Sequence, residues 1–408
     1  MSNHRLTALH VLLLSLISSV RCAYNHGDET QYLANFDQMA ASSYAAIDDD
    51  SVAPVGLISQ CKDSNILDFS FATEIIVRPD DPSTGTVSAT SAQDQCSTAS
   101  AIGNPTICIV PEGVRLLMTS SLVVDALVVR GQLYWRDTEH VQVEDQWLCA
   151  GFIAVESQGH FVMNVQDATK TSWIFVMNNG AVHPIGGSRF FGGVASHDGM
   201  TSSPVIEIKG RTLSRTWSLL SEPLNAGQNK LNLLHSPLRM GWQVGDRIGV
   251  ASTAPSSAGT GQTFLITALA DDGTVTLDGN ADRNHRADFH PPTKLGETDA
   301  SGSYAAALLS AEVVNLSRNI IITGDEYRQV PCDPSLPEAV DGEQTSTQGC
   351  RCASFRTQCT LGLHTAQMHA GTMSIKSARV EKCGQRGIEV RLLCILHSYY
   401  IVRYIRAL

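Results

Sequence analysis

Four stretches of the chain repeat one pattern: an alternating apolar segment runs into a glycine and then a second apolar pair. They read ALVVRGQLYW, FIAVESQGHFVM, WIFVMNNGAV and VIEIKGRTL, with glycines at Gly131, Gly159, Gly180 and Gly210. Alternation over four to six positions, enriched in β-branched residues, is the period of a strand. Recurrence at 28, 21 and 30 residues predicts stacked coils of a β-solenoid, each strand lying on the one before. A β-sandwich with evenly spaced hairpins is the competing arrangement. Between Trp217 and Leu277 the texture changes. GWQVGDRIGVAST carries a Gly-Asp turn, and FLITALADDGTVTL sets Asp272-Gly273 between two alternating runs, a strong hairpin signal. An antiparallel, hairpin-built insertion is expected there. Solenoid texture returns in VVNLSRNIIITGD and GTMSIKSARVEKCGQRG, with a long polar loop between them. The small and acidic stretch 24–60 reads as a leader and 81–105 as a loop. No helix of ordinary length is predicted outside the N-terminal apolar run.

Composition narrows this all-β picture. Hydrophobic residues make up 43% of the chain and charged ones 17%, so it can bury a large core and is not a disordered chain. A net charge of −11 argues against a nucleic-acid partner, which needs clustered Lys and Arg to neutralise phosphates. An anionic polysaccharide would need a local basic patch, and none is visible in the linear sequence before the last residues.

The N-terminus has the layout of a secretory signal peptide. His4 and Arg5 precede the apolar LTALHVLLLSLISSV, and small residues follow around Cys22 and Ala23. The run is shorter than the ~20 residues of a membrane span, and no later segment is long and apolar enough for one. Secretion makes disulfides the default for the cysteines, in a pairing that spacing does not reveal. The candidates are Cys61, Cys96, Cys108, Cys149, Cys332, Cys350, Cys352, Cys359 and Cys383, with Cys22 and Cys394 left over. CRCASFRTQC lacks the paired C-x-x-C spacing of structural zinc, so no metal is expected there. Asn315-Leu316-Ser317 is a glycosylation sequon.

Several of these segments, in this order, resemble one family. IVPEGVRLLMTSSLVVDALVVRGQLYWRDTEHVQV is similar to the start of the G8 domain, an extracellular β-rich module, and GFIAVESQGHFVM to its later strand-Gly-strand element. RTWSLLSEPLNAG, GWQVGDRIGVAST and TVTLDG resemble the segment that follows in those proteins. LSRNIIITGD and ARVEKCGQRGIE look like the entry to their right-handed parallel β-helix. The resemblance spans about Ile109 to Glu389. It implies a G8 solenoid-like domain (106–212), a hairpin segment (213–300) and the start of a parallel β-helix (301–389) with a Cys-rich loop at 326–362. A signal peptide (1–22) and a polar, Cys-containing linker (23–105) precede them. The family includes members that promote hyaluronan degradation and receptor-like members, such as fibrocystin, that are not known as enzymes. Fold alone therefore does not decide the activity.

After Glu389 the family pattern continues with a glycine, a basic–aromatic pair and a His-x-His strand, whereas this chain reads VRLLCILHSYYIVRYIRAL. A Val codon begins with the bases of a splice donor, so residues 390–408 are expected to be a gene-model artefact. The other reading is a genuine short form whose last strand caps the solenoid.

The chemistry legible in the chain is sparse. No G-x-S-x-G elbow or phosphate-binding glycine loop occurs. Glu144-Asp145, Asp271-Asp272 and Asp325-Glu326 read as solvated turns rather than the carboxylate pair of a glycoside hydrolase. His364 and His369, with Arg386 as an anion-binding fork, are candidate ligand residues near the family's His-x-His position; their plainer reading is surface turns. His183 and His197 read as loop residues, and Phe190 or Phe191 as either core or a sugar-stacking ring. The expectation is a secreted module that binds an extracellular polysaccharide or protein ligand, without catalysis and without a cofactor. The alternative is a fragment of a polysaccharide-degrading enzyme of the same family.

Overall fold

The computed structural model describes residues 57–62, 67–100, 104–137, 144–194, 203–253, 261–290, 307–324, 328–331, 358–361, 363–368 and 370–381. These form an all-β solenoid with three parallel sheets, each taking one strand per coil. The first sheet stacks Thr73–Ile76, Thr106–Val110, Ala126–Val129, Ile153–Val155, Phe190–Gly193 and His364–Gln367. The second stacks Thr86–Ser88, Arg115–Leu117, Gln132–Arg136, His160–Asn164, Val205–Lys209 and Thr372–Lys376. The third stacks Leu122–Val123, Gln146–Ala150, Ser172–Val176, Ile320–Gly324 and Arg379–Val380. Read in chain order, the strands trace six coils, and in the first coil the helix Ala89–Ser100 stands where the third-sheet strand would be.

Parallel register lines up like residues from coil to coil, and alternation sends every second one inward. In the second sheet Leu116, Leu133, Phe161, Ile206 and Met373 form one inward row. Trp135, Met163, Ile208 and Ile375 form the next. Against them lie Leu127, Ile153 and Phe191 of the first sheet and Leu148, Ile174 and Ile322 of the third. Each such side chain contributes about 1.5–3 kcal/mol by leaving water.

The repeating glycines divide into separate jobs. Gly131 and Gly159 occupy the same corner, where the chain turns from the first sheet into the second, and Gly371 repeats it in the last coil. A Cβ at Gly131 would lie far inside contact distance of the Pro111 and Val114 carbonyl oxygens, and one at Gly159 would strike that of Val129. Gly180 instead serves a turn at φ +88° after the third sheet. Gly210 leaves the second sheet against the Ser377 carbonyl. The 28-residue spacing is thus one coil, and the 21- and 30-residue spacings are not.

One expectation for the linker changes. Residues 81–105 are not a loop throughout: Ala89–Ser100 is a helix. Its buried Ala89, Ala92 and Cys96, three and four apart, cover the open end of the core. Small side chains hid this face from a reading based on large apolar residues. Cys96 is bonded to Cys108, and Cys61 to Cys149 on the third sheet, where Gln60 also accepts from the Trp147 indole at 3.1 Å. By loop closure these bonds contribute about 3 and about 4–5 kcal/mol respectively. Of the other cysteines, Cys359 falls in the strand Gln358–Leu361 without a described side chain, and Cys332, Cys350, Cys352 and Cys383 lie outside the described residues.

The insertion leaves the fifth coil after Val205–Lys209 and returns at Ile320–Gly324. Its six antiparallel strands run in the order Trp217–Leu219, Glu312–Asn315, Arg247–Val250, Gln262–Leu269, Thr274–Leu277, Lys230–Asn232. The first and last of these meet through Ser221 N–H to Asn232 O (2.8 Å) and Leu234 N–H to Leu219 O (2.9 Å), so the sheet closes into a small barrel. Leu231, Trp242, Ile248, Phe264, Val275 and Val313 fill it. Asp272-Gly273 makes the expected hairpin, with Gly273 at φ +100°. The segment Val313–Asn315, expected in the solenoid, closes the barrel instead, and the solenoid resumes only at Ile320. The described strands from Thr106–Val110 to Val205–Lys209 and from Ile320–Gly324 to Arg379–Val380 therefore belong to one set of stacked coils, with the barrel between them in sequence.

Candidate functional site

The outward face of the second sheet gathers the cations that the linear sequence scatters. Because Leu133, Trp135, Phe161, Met163, Ile206 and Ile208 point inward, the residues between them point out. One outward row is Arg136, Asn164, Lys209 and Lys376, paired strand to strand over coils three to six. At ~4.8 Å per strand it runs for roughly 14 Å along the solenoid axis. Beside it Arg115 and Arg136 lie over the Tyr134 ring, at 5.1 and 4.4 Å from its centroid. Arg115 also donates to Gln132 at 3.0 Å. Arg115, Lys209 and Lys376 are exposed; His160 lies half-buried beside them, and Glu207 is the one carboxylate in these outward rows. Against a chain of net charge −11, this face has the opposite sign. Residues 209 and 376 meet across one strand pair although the barrel and the Cys-rich segment separate them in sequence. No local sequence pattern reports that neighbourhood.

The outer face of the first sheet holds a second cluster. Glu156 is buried and accepts from Arg130 Nε at 2.9 Å and from His183 Nε2 at 3.1 Å. His183 Nδ1 accepts from the amides of Ile185 (3.2 Å) and Gly186 (2.9 Å), which leaves the ring proton on Nε2, facing the carboxylate. Burial pushes Glu156 up, but the hydrogen bonds from His183 and Arg130 and the charge of Arg130 outweigh it and hold Glu156 below the usual carboxylate range. His183, expected in a loop, is thus 4% exposed in the hairpin formed by Val182–His183 and Gly187–Ser188. A polar pair within an apolar stretch was the available signal. Phe152, His183, Phe190 and His364 stack in sequence at 5.2, 6.0 and 5.3 Å between centroids. Phe190 and Phe191 are fully buried, so neither is a platform for a sugar ring.

His364, a candidate ligand residue, begins the last first-sheet strand, on this face and not beside the basic row. Its Nε2 donates to the Gly186 carbonyl at 2.6 Å, and burial holds it below the usual imidazole range against that bond. His369 and Arg386 lie outside the described residues, as do His197, Asp325 and Glu326.

The barrel contains an arrangement that imitates a nucleophile and its base. Ser218 Oγ and His235 Nδ1 are 2.9 Å apart. Arg215, however, donates to His235 Nε2, so the ring proton sits on Nδ1 and Ser218 Oγ accepts it. A serine held as acceptor is not activated for attack. The acidic pairs serve turns: Asp145 accepts from Thr171 N–H (2.7 Å), Asp271 from Ser236 (2.5 Å) and Asp272 from Thr274 N–H (2.9 Å). Among the described residues no three His, Cys, Asp or Glu side chains converge as a metal site, and no helix is long and apolar enough to cross a membrane.

The sequon needs correction. Asn315 is fully buried, its Nδ2 donates to Asp246 at 2.8 Å and its Oδ1 accepts from Ser317 N–H at 3.0 Å. A glycan on that nitrogen is incompatible with this fold. That nitrogen instead joins the strand Glu312–Asn315 to Asp246. No family model and no curated protein matches the chain.

Proposed function

We propose that this chain is a secreted G8-type module that binds an anionic extracellular polysaccharide along the outward face of its second sheet, without catalysis. The carrying observation is the row Arg136, Asn164, Lys209 and Lys376, joined by Arg115. A straight row of cations on a rigid sheet suits a linear polymer with repeating negative groups, because the scaffold has already met the cost of ordering. The two disulfides fit an oxidising compartment. The resemblance to G8 proteins supplies the class of ligand, and a uronic-acid polymer such as hyaluronan is the first probe.

Titrating the full chain with hyaluronan, with neutral dextran as control, tests the reading. Binding is expected to weaken steeply as salt rises through the range where the Debye length shortens from ~10 Å. Lys209→Glu with Lys376→Glu should raise Kd at least about tenfold, since each reversed surface charge costs on the order of 1 kcal/mol. Equal affinity of the double variant, or equal binding of dextran, would overturn the assignment. In the same mixtures the polymer should keep its length. Shortening beyond a heat-treated control would instead support the enzyme reading.

A further inference from the structure

We infer that His364 is an acid-operated latch that holds the sixth coil, and with it one end of the basic row, onto the rest of the solenoid. Gly186 is gripped from two sides by imidazoles: its N–H donates to His183 Nδ1, and its carbonyl accepts from His364 Nε2. His183 lies in the hairpin itself and ties it to Glu156 of coil four, while His364 ties it to coil six, so the hairpin Val182–Ser188 acts as a strap between those coils. The strap is fitted closely, because a Cβ on Gly186 would overlap the Phe190 ring that lies between the two imidazoles. The backbone of Arg189 completes the seat by accepting from His364 N–H at 3.1 Å. His364 begins a strand that ends at Gln367, and the next strand of the same coil, Thr372–Lys376, carries the last cation of the row.

The sign of the pH response follows from burial. Among the described residues, the charged and titratable side chains around the strap include His183, Glu156 with its partner Arg130, and the buried Arg189. Glu156 is already engaged by His183 and Arg130, and an imidazolium at His364 in this apolar cluster would be costly. His364 is therefore held neutral, below its ordinary value of 6.5. A base depressed in the folded state adds stability that is complete above that ordinary value. The stability erodes as pH falls below it, because the released coil takes up the proton more readily. Acid thus favours a state in which the strap lifts, coil six loosens, and Lys376 loses its register against Lys209.

The inference about binding rests on the polyanion reading, but the latch is tested without any ligand. Hydrogen exchange of the full chain, corrected for intrinsic rates, would be followed by mass spectrometry at pH 7.5 and pH 5. Peptides covering 182–188 and 364–376 should exchange faster at pH 5, by up to about 30-fold, the limit set by an ordinary imidazole against a strongly depressed one. Peptides covering 126–136 and 146–164 should hold their protection. His364→Gln, which keeps a donor for the Gly186 carbonyl but cannot charge, should lose most of the pH response. Unchanged protection of 364–376 in the wild type, loss spread evenly over all coils, or an undiminished response in a folded His364→Gln would each overturn the latch. If that variant does not fold, the wild-type pattern alone decides. Failure of hyaluronan to bind would sink the polyanion reading and leave the exchange result standing.

Discussion

Gly159→Ala is expected to be among the most damaging single-methyl additions this chain can receive, costing about 3 kcal/mol or more. The new Cβ would meet the Val129 carbonyl oxygen, which is backbone and already committed to the Glu156 N–H at 2.9 Å. Gly159 is itself bonded on both sides, donating to Glu156 O at 2.8 Å and accepting from Val205 N–H at 2.9 Å. Neither partner can move without opening the corner shared by coils three, four and five, so relaxation is unavailable where a flexible side chain would have given way. Gly279→Ala is the control: nothing lies within 4 Å of its Cβ, and a change well under 1 kcal/mol is expected there. Thermal melts of both variants, followed by circular dichroism, make the comparison. Equal melting temperatures would mean that the corner is more compliant than its hydrogen bonds imply.

That corner also shows how much of the fold was legible. Inward alternation and recurring glycine expose a solenoid because each coil must solve the same two problems, burying one face and turning sharply. The pattern says nothing about which glycines are equivalent: Gly131 and Gly159 share a corner, while Gly180 and Gly210 answer to a turn and to the Ser377 carbonyl. The helix Ala89–Ser100 escaped because its buried face is two alanines and a half-cystine, too small to register as amphipathic. The strand Glu312–Asn315 looked like its solenoid neighbour because strands of a barrel and of a coil share the same period. Its destination depends on a pairing with Trp217–Leu219, nearly a hundred residues away.

The candidate sites were less legible, for a topological reason. Lys209 and Lys376 become neighbours although the barrel and more than a hundred residues of sequence separate them, so no short window of sequence contains both. His364 was singled out for lying near the His-x-His position of the resembling family, and in the fold it bonds to Gly186, on the far side of the same detour. Asn315 carries a motif that reads as surface chemistry and is fully buried. In each case local composition reported the residue correctly, and the fold alone decided what it touches.

Asp246→Ala is expected to cost about 3–5 kcal/mol, the range for removing one partner of a buried ion pair. Its carboxylate receives both oxygens' worth of Arg211 Nη2 at 2.8 and 2.7 Å, the Asn315 amide at 2.8 Å and the Gln243 N–H at 2.9 Å. Arg211 follows directly on the solenoid corner at Gly210, and its own N–H donates to Asn319 Oδ1 at 2.8 Å. Asn319 in turn donates to the carbonyls of Val165 and Asp167 in coil four, both at 2.9 Å. Asp246 therefore sits at the seam where the barrel is seated on the solenoid. Its loss strands a guanidinium, a side-chain amide and a backbone N–H together, each of which water must then reach. The solvent-exposed pair of Asp271 with Arg239 at 3.4 Å is the contrast, and Asp271→Ala should cost far less than Asp246→Ala. Urea denaturation followed by tryptophan fluorescence reads the seam, since Trp242 is buried in the barrel and donates to the Arg215 carbonyl at 2.9 Å. A loss for Asp246→Ala no larger than for Asp271→Ala would mean that the barrel is held by its own closure, and that the polar seam only sets where it sits.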